Sequence, residues 1–69
     1  MELRTKYKIG DNVFTLSKEM KIVEKEVKRV SVFVWPDETR VNYDFVDGGD
    51  AYEEMCFGTK DELLKFIQS

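Results

Sequence analysis

Lys8-Ile9-Gly10-Asp11-Asn12-Val13-Phe14-Thr15-Leu16 is the stretch on which the fold turns. Glycine followed by aspartate marks a tight turn, because glycine tolerates positive φ and aspartate bonds its own backbone. The β-forming residues Val13 to Leu16 then read as the first strand of a small β-barrel. The far end answers with Thr59-Lys60-Asp61-Glu62-Leu63-Leu64, a helix start in which Thr59 caps the Glu62 amide and Glu62 reaches back. Asp61 and Glu62 suit the positive helix terminus, and Leu63, Phe66 and Ile67 supply the apolar stripe. A single domain is expected, with a barrel over 1–58 and a helix over 59–69.

Between these ends the pattern is that of strands and turns. Leu3, Tyr7 and Ile9 offer one apolar line into the fold, and Ser17-Lys18-Glu19-Met20 is a polar hairpin connector. From Lys21 to Trp35 the β-formers run on for longer than the ~5–6 residues of a typical strand. Val23, Lys25 and Val27 share one phase of the two-residue period, whereas Val30, Val32 and Val34 share the other. That slip requires an extra residue, and a β-bulge near Lys28-Arg29 supplies it. A helix over Glu19–Arg29 is the alternative, from the spacing of Met20, Val23, Val27 and Val30, but its valines weigh against it.

Pro36 turns the chain, and Arg40 to Val46 alternates with Val41, Tyr43 and Phe45 on the core face. Asp47-Gly48-Gly49-Asp50 is the strongest hairpin turn. Ala51 to Phe57 is expected as the last long strand, broken by Gly58. The fold class is therefore mainly β: about five antiparallel strands closed by one short C-terminal helix.

These features resemble the SH3-like β-barrels, and more narrowly the small uncharacterised bacterial and phage proteins of that kind. The resemblance rests on the Gly-Asp-x-Val opening at Gly10 to Val13, the long bent second strand from Ile22 to Val34, and the short terminal helix entered through Phe57-Gly58-Thr59. It implies a binding or adaptor module, since SH3-like, Tudor-like and KOW-type barrels bind peptides or nucleic acid. Fold analogy transfers no ligand and no site residue.

Composition narrows the function classes. A chain of 69 residues buries only roughly 60% of its unfolded surface, so its core is small. Eleven basic against 14 acidic residues give a net charge of −3, which argues against nucleic acid as the principal partner. There is no histidine, which removes the usual neutral-pH base and the commonest metal ligand. Cys56 is the only cysteine, so no intrachain disulfide forms, which fits a reducing compartment and a cytoplasmic location. Met1 to Arg4 opens no apolar run of the signal-peptide kind. Val30 to Trp35 falls far short of the ~20 residues of a membrane helix.

No catalytic residue, metal site or cofactor is expected. Cys56 reads as a buried structural thiol. The pairs Asp47/Asp50 and Glu53/Glu54 read as solvated charges, and the Asp47–Asp50 turn lacks the ligand spacing of a calcium loop. The candidates for partner binding are Trp35, exposed beside Pro36, together with Tyr43 and Tyr52, which with Phe45, Asp44 and Asp50 resemble an aromatic cage. The nucleic-acid alternative uses the basic stretch Lys18–Arg29, with Lys21, Lys25, Lys28 and Arg29 as contacts. The uncharged run Ser31-Val32-Phe33-Val34-Trp35 is suited to pairing at an open edge, which makes a second copy of the chain a further partner. The expectation is thus a non-enzymatic interaction module for a protein or peptide partner or for itself.

Overall fold

Strand β1 (Asn12–Leu16) leads through the Ser17–Met20 turn into β2 (Ile22–Val34), followed by β3 (Thr39–Phe45) and β4 (Asp50–Tyr52). A 3-10 turn (Glu53–Met55) and helix α1 (Lys60–Gln68) complete the chain in this computed structural model, which describes residues 5–68. The four strands form one antiparallel sheet in the order β1-β2-β3-β4, curled into a half-barrel. Within the stretch Glu19–Arg29, Ile22 to Arg29 is strand and the residues before it are turn, so the helix that the spacing also allowed does not form.

The bulge falls where the phase slip places it. Val27 pairs with Phe45 and Arg29 with Asp44, so Lys28 is the extra residue. Before the bulge β2 pairs with β1 from Ile22 to Glu26; after it, Arg29 to Val34 pair with β3. The slip lets Val27 and Val30 both face inward, the first fully buried and the second packed against the core. Val13, Val27, Tyr43, Phe45 and Cys56 form that core, flanked by Tyr7, Val41 and Ala51. Leu63 is the fully buried residue of α1.

The turns follow their residues. Asp11 closes the first by accepting from the Lys8 amide through Oδ2 at 3.0 Å. The amide of Gly10 donates to Val27 O at 2.9 Å, and the Val27 amide donates to Asp11 O at 2.8 Å. This Gly-Asp turn therefore clamps β2 beside the bulge. Gly48 and Gly49 take φ of +103° and +85° in the β3–β4 turn, which residues with a Cβ rarely adopt. At α1 the Glu62 amide donates to Thr59 Oγ1 at 3.2 Å.

Three expectations are corrected. The strand over Ala51–Phe57 stops at Tyr52, and the 3-10 turn replaces its middle. The cause is long-range: the Tyr43 hydroxyl donates to Glu53 Oε2 at 2.6 Å, and the Lys6 amide donates to the same oxygen at 2.9 Å. A carboxylate held by two donors from other segments fixes the chain direction against local β propensity. What remains of the expected strand after the turn is one antiparallel bridge, Phe57 to Phe14, with amide–carbonyl distances of 2.7 and 2.9 Å. Ile9 is exposed because it lies in the turn, whereas Tyr7 does pack edge-on against Tyr43 at 5.7 Å; Leu3 lies outside the described residues. Tyr43, a candidate partner contact, is fully buried in the core.

Tyr43→Phe keeps the ring and removes a bond to a charged acceptor, so it is expected to cost about 1.5–3 kcal/mol in urea unfolding. Thr59→Ala removes only the exposed cap and is expected to cost about 1 kcal/mol in the same assay. The reverse order would mean that Glu53 is not the tie it is taken to be.

Candidate functional site

Beyond the bulge, β2 and β3 continue as a two-stranded hairpin with the register Phe33↔Arg40 and Val34↔Thr39. Side chains alternate across a strand, so Arg29, Ser31 and Phe33 share the outer face while Val30, Val32 and Val34 share the inner one. Phe33 and Trp35 are each nearly half exposed, with ring centroids 6.1 Å apart. Across the ladder from Phe33 stands Arg40, whose guanidinium lies 4.0 Å above the Tyr52 ring. Arg40 Nη2 also donates to Glu54 Oε1. Trp35, Phe33, Arg40 and Tyr52 thus form a stripe over three successive chain segments, aromatic at both ends and cationic between.

Arg40 had no place among the sequence candidates. Its position follows from the hairpin register: the Trp35 amide donates to Glu38 O at 2.8 Å, and counting outward from that turn sets Arg40 opposite Phe33. The aromatic cage is taken apart by the sheet. Tyr43 opposes Ala51 on the inner face, whereas Tyr52 opposes Asn42 on the outer face. Tyr43 and Phe45 are core, and Trp35 and Tyr52 remain at the surface.

Alongside the stripe runs an unfinished edge. The β1 pairing of β2 ends at Glu26, and the Gly10–Asp11 turn holds Val27. Among the described residues, Arg29 to Val34 pair with β3 alone. The run therefore presents backbone donors and acceptors together with apolar side chains on both faces.

The basic stretch is dispersed. Lys25 Nζ donates to Asp47 Oδ2 at 2.9 Å on one side of the strand, and Arg29 Nε donates to Asp44 Oδ2 at 2.5 Å on the outer face. The bond from Lys25 holds the Asp47 carboxyl below its ordinary range. Lys21 lies beside the hairpin turn and Lys28 at the bulge, with Glu24 and Glu26 exposed between them. Asp50 is engaged as well, accepting from Asn42 Nδ2 at 3.0 Å. Among the described residues no group of three acidic or cysteine side chains is arranged to hold a metal ion.

A cleft of about 430 Å³ opens on the hollow side of the half-barrel, between the Ser17–Glu19 and Gly48–Asp50 turns. Leu16, Val23, Phe45 and Ala51 give it an apolar floor, and Lys25 stands at its wall. Cys56 is buried away from it, and burial together with Glu53 pushes its thiol up from 9.0 to about 11. Such a thiol carries little thiolate at neutral pH and is a packing group rather than a nucleophile.

No protein-family model, curated protein or solved structure matches this chain. Among the described residues no helix is long and apolar enough to cross a membrane.

The Cys56 environment sets an alkaline limit on stability. Its folded value lies above the unfolded one, so its contribution is complete below about pH 9 and is lost as pH rises towards about 11. Tyr43, raised by burial and by its bond to Glu53, acts in the same direction at higher pH. Unfolding free energy measured in urea is expected to hold to about pH 9 and then fall, less steeply in Cys56→Ala. Rapid modification of the native thiol at neutral pH would contradict this placement.

Proposed function

We propose that this chain is a non-enzymatic interaction module of the SH3-like barrel kind, binding a protein or peptide partner along its β2–β3 hairpin. The observation that carries the reading is the Trp35–Phe33–Arg40–Tyr52 stripe lying beside the Arg29–Val34 edge, which among the described residues has no strand partner on its second side. Aromatic residues and arginine are the side chains that dominate binding energy at protein interfaces. An open strand edge supplies sequence-independent backbone bonds to an extended partner. The Phe14–Phe57 bridge supports taking Phe57 as a vestigial fifth strand that would complete a barrel.

The alternative, a KOW- or Tudor-like nucleic-acid module using Lys21, Lys25, Lys28 and Arg29, has less behind it. Lys25 and Arg29 already pair with Asp47 and Asp44, and they do so on opposite faces of the sheet. A cytoplasmic setting suits the single reduced cysteine and belongs to the same proposal.

Trp35 is the only tryptophan, so its fluorescence reports on the site directly. Cross-linking of the intact chain to a captured partner is expected to map to residues 30–35 and Tyr52. Trp35→Ala is expected to weaken capture by about tenfold or more. Capture indifferent to Trp35→Ala and Phe33→Ser, or with cross-links confined to the cleft, would overturn the reading. A steep loss of oligonucleotide binding with salt would favour the alternative instead.

A further inference from the structure

We infer that the occupant of the open β2 edge is a second copy of this chain, joined antiparallel about a two-fold axis at Val32. This deepens the interaction-module reading and rests on it. The direction of the backbone groups comes first. The Trp35 amide bonds Glu38 O, so the peptide groups of Trp35 point towards β3. Successive residues in a strand direct their N–H and C=O groups to opposite sides. Phe33 and Ser31 therefore also serve β3, and Val30, Val32 and Val34 aim theirs at the free edge.

Three outward-facing residues have a midpoint, and it is Val32. Setting Val32 against its own symmetry mate brings Val30 opposite the second copy's Val34 at both ends, and all three residues of each copy join the ladder. Centring on Ser31 or Phe33 leaves one of the three unmatched, and centring on Phe33 brings Pro36, which has no N–H, into the ladder. In the Val32 register the inner face becomes a continuous row of valines. That row covers Val34, which is 64% exposed in the single chain. On the outer face Ser31 meets Phe33, and Arg29 meets Trp35, a cation–aromatic pairing.

Charge fits the same arrangement. Val30 to Pro36 carry no charge, Lys28 and Arg29 precede them, and Asp37 and Glu38 follow. An antiparallel pair about Val32 lays the basic end of each copy beside the acidic end of the other. A parallel pair would set like against like. Opposite charges near one another across strands stabilise, and like charges directly opposite destabilise. A two-fold contact must be self-complementary, and this run is so in backbone, in apolar side chains and in charge.

Two substitutions test the inference without touching the β3 ladder. Val32→Pro removes an amide that faces the free edge, a position where sheets tolerate proline. Val34→Lys places a charge on the exposed inner row, a device that natural edges use against pairing. Light scattering on the intact chain across the micromolar to millimolar range is expected to give a mass near twice 8.1 kDa, and 8.1 kDa for either variant. Far-UV circular dichroism of the dilute variants is expected to match the parent. Amide exchange in the parent is expected to slow at Val30, Val32 and Val34 as concentration rises, and not in Val34→Lys. A mass of 8.1 kDa throughout, or a dimer indifferent to Val34→Lys, overturns the inference. A monomer whose foreign partner is still lost on Phe33→Ser overturns the second-copy occupant alone and leaves the interaction module standing. A monomer that captures nothing through the stripe removes both.

Discussion

The extra residue at Lys28 is the constraint on which the rest of the structure depends. Without it, the side chains of β2 would keep one phase from Ile22 to Val34, and either Val27 or Val30 would face solvent. A core of five clustered residues has little to spare for such a loss. The same residue divides β2 into a half that belongs with β1 and a half that belongs with β3. Because the Gly10–Asp11 turn bonds Val27 in both directions, the described residues before β1, 5 to 9, leave the sheet at that point. The core packing and the vacant edge are thus two consequences of one inserted residue.

Tyr43 shows how so small an interior remains ordered. Its ring fills the centre, and its hydroxyl meets two demands of the surrounding chain at once. It donates to Glu53 and accepts from the Tyr7 amide at 3.2 Å, and among the described residues no buried side-chain nitrogen or oxygen lacks a partner. Phenylalanine would fill nearly the same space but would free both the entry segment and the 3-10 turn. The polar tip of a buried aromatic is commonly used in this way, with one end apolar and the other bonded. Here it positions Cys56, because the turn that Glu53 begins ends with the Cys56 amide donating to Glu53 O at 3.1 Å.

What the sequence disclosed and what it hid divide along the range of the forces concerned. The bulge, the Gly48-Gly49 turn, the Thr59 cap and the inward set Val41, Tyr43 and Phe45 depend on periodicity or on neighbours a few residues apart, and each could be read directly. The break at Glu53 depends on Tyr43 and Lys6, 10 and 47 residues away, and local β propensity gives no hint of it. The site was legible in half. Trp35 stood out beside a turn-forming proline, but the Arg40–Tyr52 stack required the register of both hairpins. The aromatic cage failed for the same reason: Tyr43 and Tyr52 are close in sequence terms yet sit on opposite faces of the sheet.

An uncharged strand edge endangers a chain unless association there is finite. Open-ended stacking needs two complementary edges on each molecule, whereas a two-fold contact uses one edge and closes. Among the described residues the remaining open edges are Thr39–Val41 of β3, which carries Arg40, and β4, three residues long and begun by Asp50, already committed to Asn42. Short and charged edges of that kind resist pairing. On the β1 side, the Phe57 bridge occupies Phe14. Among the described residues only the distal half of β2 is an open edge both long and apolar, and Pro36 ends it before the ladder can extend into the turn. The geometry that leaves the edge open therefore also limits it to one partner, so the proposed pairing at Val32 would end at a dimer rather than a fibre.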